Sequence, residues 1–208
     1  MGKSSTARAQ QAQQTRATLL ETALNLFAEQ GYTKTSIRAI ARQAGLSDGL
    51  LYHHFPEGKQ QILAVLLQQG VAEALSQLNQ MNQDLEQAPL RQVLQTLCQL
   101  GEYLFSTHAR LLKIILRESE HMQLAEIDVI SQMFALRQQW LSHLLQRRHQ
   151  AGEVREMNFD FAAQQFMATN LNAGLSQLLH LKVGVPLSDP QQRNAMIEHT
   201  LMLWCTQP

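Results

Sequence analysis

At 208 residues, with 45% apolar and 16% charged side chains, the chain carries enough apolar material for a substantial core and too little charge for a disordered polyelectrolyte. Lys and Arg balance Asp and Glu at 17 each, yet residues 1–60 hold seven basic side chains against four acidic ones, so the N-terminal part is the end suited to a polyanion. No apolar run approaches the roughly 18 residues of a membrane span, and the polar start MGKSSTARAQQAQQTR has no apolar signal core, which excludes a membrane partner and implies a cytoplasmic protein.

Gly and Pro are scarce and the apolar periodicity is helical throughout, which predicts an all-α fold. Residues 1–13, rich in Gln, Ala and Ser, read as a flexible arm, 14–58 as a helical head and 59–208 as a larger helical domain. Leu20, Ala23, Leu24 and Phe27 follow i, i+3, i+4, i+7 spacing and predict a first helix over about 14–30, stopped by Gly31. Ile37, Ile40, Ala41 and Ala44 repeat that spacing in a short second helix, with Thr35 as its expected N-cap and Gly45 as its stop. Ser47 caps a third short helix that runs to about His54, before Phe55-Pro56 breaks it. Longer helices follow over about 59–82, 89–107, 109–118, 125–150, 159–181 and 189–206, the last two separated by the turn-rich KVGVPLSDP.

The second and third helices, joined by a tight Gly turn, have the dimensions of a helix-turn-helix, whose second helix can lie in a DNA major groove. Ile37, Ile40, Ala41, Ala44, Leu46, Leu51 and Phe55 form its packing face. That leaves Ser47, Asp48, Leu50, Tyr52, His53 and His54 as the candidate reading set. Thr33, Ser36 and Lys59 fall at or near helix N-termini, where hydroxyl, ammonium and N–H groups hold phosphates.

The stretch GYTKTSIRAIARQAGLSDGLLYHHFPEGKQQIL resembles the N-terminal signature of the tetracycline-repressor (TetR) family. The resemblance covers about residues 16–63. It rests on Gly31-Tyr32, Thr35-Ser36, Ile40-Ala41, Ala44-Gly45, Leu51-Tyr52 and His54-Phe55, followed by Lys59. It implies an N-terminal three-helix DNA-binding domain and a C-terminal helical domain that binds a small molecule and dimerises through its last two helices. It also implies base or phosphate contact by Arg38 and phosphate contact by Tyr52, His54 and Lys59. Asp48 and Leu50 depart from the Lys and Thr common in the family. Asp can accept from cytosine N4 and Leu can meet a thymine methyl.

Rival chemistries are weak. Gly45-Leu46-Ser47-Asp48-Gly49 is a literal G-x-S-x-G, but that motif activates serine only at a strand-to-helix elbow, and no strand pattern precedes it. His53 and His54 point about 100° apart on a helix and cannot easily share an ion. Cys98 and Cys205 sit in apolar helical patterns without metal-site spacing and read as buried thiols. Neither a catalytic centre nor a cofactor nor a metal is expected.

In the larger domain, Tyr103, His108, His121, Met122, Met133, Phe134, Trp140, His143, Phe166 and Asn170 mix aromatic, Met and polar types among apolar helices. Of these, Tyr103, His108, Met133, Trp140, His143, Phe166 and Asn170 are the expected lining for an apolar or aromatic effector. Phe166, Thr169, Ala173 and Leu175 on one helix, with Ile197, Leu201 and Trp204 on the last, are the expected homodimer face. The sequence thus reads as a ligand-responsive regulator, a repressor of a palindromic double-stranded operator. The alternatives are an activator, or an all-α carrier or enzyme that borrows the fold.

Overall fold

The computed structural model describes residues 3–118 and 125–206, with side chains except at 3–6, 78–84, 125–127 and 129. His121 and Met122, singled out above among the aromatic, Met and polar residues of the larger domain, lie outside the described residues. Among those described, the chain is all-α: α1 (Lys3–Gln30), α2 (Ile37–Gln43), α3 (Asp48–His54), α4 (Lys59–Leu85), α5 (Leu90–Thr107), α6 (Ala109–Glu118), α7 (Ala125–Gln150), α8 (Phe159–Leu178) and α9 (Pro190–Trp204). The one bridge among them, Val154 with Cys205, holds the end of α9 against the turn after α7.

α1 begins at Lys3, where a flexible arm is expected over 1–13. Ala, Gln and Arg are good helix formers, so the exposed residues 7–14 continue the helix on propensity, with little burial. The cap of α2 also differs from expectation. Ser36, not Thr35, is the N-cap, its Oγ accepting from Ala39 N at 3.1 Å. Thr35 is buried instead, and its hydroxyl donates to Gly31 O at 2.8 Å. Ser47 caps α3 as expected, accepting from Leu50 N at 3.2 Å. Gly31 and Gly45 take φ of +91° and +69° at the ends of α1 and α2, a conformation that side chains with a Cβ rarely adopt.

The chain forms two compact units, one of residues 1–72 with 110–126, the other of 73–109 with 127–208. The division therefore falls inside α4, beyond the boundary at 58/59 expected from sequence, and α6 belongs almost wholly to the first unit. In the first unit, Leu19, Ala23 and Phe27 of α1 pack with Ile40 and Ala41 of α2, Leu51 of α3, Phe55, Ile62, Leu63 and Leu67 of α4, and Ile114 of α6. In the second, Val93, Leu94 and Cys98 of α5 pack with Leu141, Leu144 and Leu145 of α7, Ala163 and Phe166 of α8, and Ile197 and Trp204 of α9. At Gly174 α8 lies so near the Phe105 side chain of α5 that a Cβ there would collide with its ring.

Candidate functional site

The apolar stripe of α3 fixes what its other face can do. Leu51 is fully buried and pins the helix, which leaves Tyr52 half exposed and His53 exposed. Leu50 and His54 are partly buried at the edges. The capped first turn presents Asp48, whose Oδ2 lies 3.5 Å from Nε of Arg38 on α2. Arg38 is otherwise almost fully exposed, at 86% of its side chain. Asp48 therefore does not stand as a bare negative charge, because the guanidinium across the turn shares its field.

A shallow cavity of about 450 Å³ lies beside α3, lined among others by Lys34, Ser36, Tyr52, Pro56 and Lys59. Thr33, Ser36, Tyr52 and Lys59 thus come together around one concavity. Lys59, however, is not free in the way the sequence reading expects. Its Nζ donates to the carbonyls of Tyr32 (3.0 Å), Thr33 (3.3 Å) and Thr35 (3.2 Å) and lies 4.4 Å from the Tyr32 ring centroid. Three backbone acceptors and an aromatic face use its three protons, so Lys59 is a strut of the α1–α2 turn. On the other side of that turn Glu118 of α6, a buried carboxylate, accepts from Tyr32 N and Thr33 Oγ1, each at 3.2 Å. Burial, with the Glu118 charge second, pushes the Tyr32 phenol up. Sequence reasoning missed Glu118 because a lone acidic residue near a helix end looks like a solvated charge.

His54 packs edge to face with His53, ring centroids 5.4 Å apart. Burial, the neighbouring His53 and then Arg16 hold its imidazole below the ordinary range. Arg16 of α1 lies over the Phe55 ring at 5.0 Å. The G-x-S-x-G string spans the end of α2 and the start of α3, and its Ser47 hydroxyl is engaged as a cap. It is a turn between helices and not a strand-to-helix elbow.

The second unit rearranges the remaining expectations. Of the anticipated effector lining, Asn170 alone borders the cavity of about 380 Å³ that lies between α5, α8 and residues 181–188. His143 is exposed, Tyr103 is 38% exposed, and Phe166 is core, its ring 5.9 Å from that of Trp204. His108 ends α5 as its C-cap, with Nε2 buried. Met133 and Trp140 are partly buried on α7, where Trp140 lies under the guanidinium of Arg137 at 4.8 Å. Arg137 itself is buried, which lowers its pKa to about 10.

Four of the seven residues of the anticipated dimer face turn inward. Phe166, Ala173, Ile197 and Trp204 are buried in this chain's own core, Leu201 packs against it, and Thr169 and Leu175 are partly buried. The apolar side chains left to solvent here are others: Phe161 and Leu171 of α8, Leu179 at its C-cap, then Met202 and Leu203 of α9.

The first unit thus has the geometry of a helix-turn-helix protein, with a capped, half-exposed helix presented beyond a tight turn. Residues 19–66 match the family described as bacterial regulatory proteins, tetR family. The transcriptional regulator UidR of Escherichia coli K12 is 40% identical over 58 residues, 28% of this chain. That match spans only 30% of UidR's length. The probable acrEF/envCD operon repressor of the same strain is 30% identical over 171 residues, covering 80% of this chain and 76% of that protein. A Saccharomonospora viridis protein solved in complex with choline shares the fold with a TM-score of 0.71 at 22% identity, over 94% of this chain and all of that one. The chain belongs to the TetR family of bacterial regulatory proteins.

Proposed function

We propose that this protein is a cytoplasmic transcriptional repressor that binds a palindromic operator as a homodimer and releases it on binding a small molecule. The observation that carries the reading is the presentation of α3: a Ser47-capped helix, pinned by Leu51, that offers Tyr52 and His53 to solvent beside the Arg38–Asp48 pair. A helix of this length held across a tight turn enters a major groove, where its N-terminal residues meet base edges. Tyr52, His54 and the Ser36 hydroxyl, whose proton is free, would meet the flanking phosphates, whereas the Thr33 hydroxyl donates to Glu118.

Two-fold operators call for two-fold proteins. The exposed Phe161 and Leu171 of α8, Leu179 at its C-cap, and Met202 and Leu203 of α9 supply an apolar surface for a second copy, beside the partly buried Thr169, Leu175 and Leu201. A ligand would act by favouring the form that does not hold DNA, since it can shift an equilibrium only by its differential affinity for two states.

The test is fluorescence anisotropy of the wild type, Arg38→Ala and Tyr52→Ala on DNA flanking the gene. Both variants should bind at least about tenfold more weakly, the loss of one or two charge-assisted contacts, while remaining dimers in sedimentation. A wild type that shows no preference for that DNA over random duplex would end the repressor reading.

A further inference from the structure

We propose that Lys34, and not Lys59, is the lysine that meets a DNA phosphate at the concavity beside α3. The inference rests on the DNA-binding reading above and assigns the charge of that contact to one residue.

Lys59 is fully engaged inside the fold. An ammonium has three protons, and the carbonyls of Tyr32, Thr33 and Thr35 accept from this one at 3.0, 3.3 and 3.2 Å. A phosphate would have to pull it off these partners. Lys34 is in the opposite condition. It is exposed, it borders the same concavity as Ser36 and Tyr52, and no hydrogen bond or ion pair among the described residues includes it. Glu57 borders that concavity, and Glu29 and Glu118 border the surface on the far side of Lys34. Glu118 is taken up by Tyr32 N and Thr33 Oγ1, and none of the three pairs with Lys34, so its protons remain available.

What separates Lys34 from an ordinary solvated charge is its mounting. The chain is fixed on both sides of it. Before it, Glu118 holds Tyr32 N and the Thr33 hydroxyl, each at 3.2 Å, and the Tyr32 ring packs edge to face on Phe27 with centroids 5.1 Å apart. After it, Thr35 is buried, its hydroxyl donating to Gly31 O at 2.8 Å and its carbonyl accepting from Lys59. The backbone of Lys34 is therefore placed by the fold, and a phosphate has only the side-chain torsions left to order. Two neutral donors border the same concavity. Ser36 Oγ accepts from Ala39 N, which leaves its own proton free, and Tyr52 carries its hydroxyl on a half-exposed ring. One ammonium and two hydroxyls suit a phosphodiester, which carries a negative charge and accepts several hydrogen bonds.

Fluorescence anisotropy across a range of salt tests this with the full chain, on random-sequence duplex and on DNA flanking the gene. In Lys34→Met the slope of log affinity against log salt should fall by about 0.9 on both duplexes. The deficit relative to wild type then widens about eightfold for each tenfold dilution of salt. Lys34→Arg, which keeps the charge, should keep the slope. The melting midpoint of Lys34→Met should match that of the wild type, because no internal hydrogen bond or ion pair is removed. A wild-type slope in Lys34→Met, a slope lost equally in Lys34→Arg, or no binding of either duplex by the wild type overturns the proposal. Phosphate contacts do not depend on sequence, so random duplex alone can report this one. A slope lost on both duplexes by a protein with no preference for the flanking DNA would end the repressor reading while the Lys34 assignment stands.

Discussion

Replacing Lys59 by Met separates two roles that give opposite signatures. The ammonium makes three hydrogen bonds to the Tyr32, Thr33 and Thr35 carbonyls and covers the Tyr32 ring. Hydrogen bonds to a charged donor are worth about 1.5–3 kcal/mol each when shielded, and the ring contact about 0.5–1 kcal/mol. Lys59 is only partly buried, so water takes over part of what is lost, and a total of about 2–3 kcal/mol remains. At about 2–4 °C per kcal/mol for a chain of this size, the melting midpoint should fall by roughly 4–12 °C. The slope of log affinity for operator DNA against log salt should not change, because no phosphate contact is removed. A lysine that neutralises a phosphate would instead lower the slope by about 0.9 with little effect on melting. Circular dichroism melts and anisotropy between low and moderate salt decide the matter. A slope reduced by about one unit with an unshifted midpoint would refute the strut.

Gly174→Ala drives a methyl into the Phe105 ring and should destabilise the second unit by about 1–3 kcal/mol in urea titrations, despite alanine's better helix propensity. Phe105→Leu in the same chain should recover part of that loss. His54 has its pKa lowered in the folded chain, so its contribution to stability is full above the ordinary value of 6.5 and declines as pH falls below it. A phosphate beside the ring favours the protonated form, so operator affinity should rise as pH drops from 7.5 to about 6. In His54→Gln that rise should be smaller, and an identical pH profile would remove His54 from the interface. Leu203→Glu places a charge at an exposed apolar position of α9 and should shift sedimentation toward the monomer, with melting of the isolated protomer little changed.

The scaffold of the first unit was legible because each signal there has one meaning. Ser47 before a short apolar period, Gly31 and Gly45 at helix ends, and Phe55-Pro56 as a stop all describe local backbone. That Ser36 and not the expected Thr35 is the cap was not resolvable locally, since both offer a hydroxyl one position apart. It was decided by the tertiary environment, which buries Thr35 against the end of α1. The second unit was harder for a different reason. α8 and α9 carry large apolar residues on both the buried and the open faces, so periodicity cannot say which stripe meets the core and which meets a partner. Phe166 and Trp204 turned inward, Phe161 and Met202 outward. The cavity wall at 181–188 is irregular chain, which leaves no period to read.

The Arg38–Asp48 contact has a consequence for anyone who would redirect this protein to a new target sequence. Two residues on different helices share one electrostatic arrangement, so they form a single letter of whatever code the surface carries. Changing Asp48 alone releases a nearly fully exposed guanidinium to seek phosphates at any site, which raises affinity without discrimination. Changing Arg38 alone leaves a carboxylate facing the duplex. Libraries that vary positions 38 and 48 together should therefore yield selective binders that neither single-position library contains, and the two positions should co-vary among natural variants that recognise different operators.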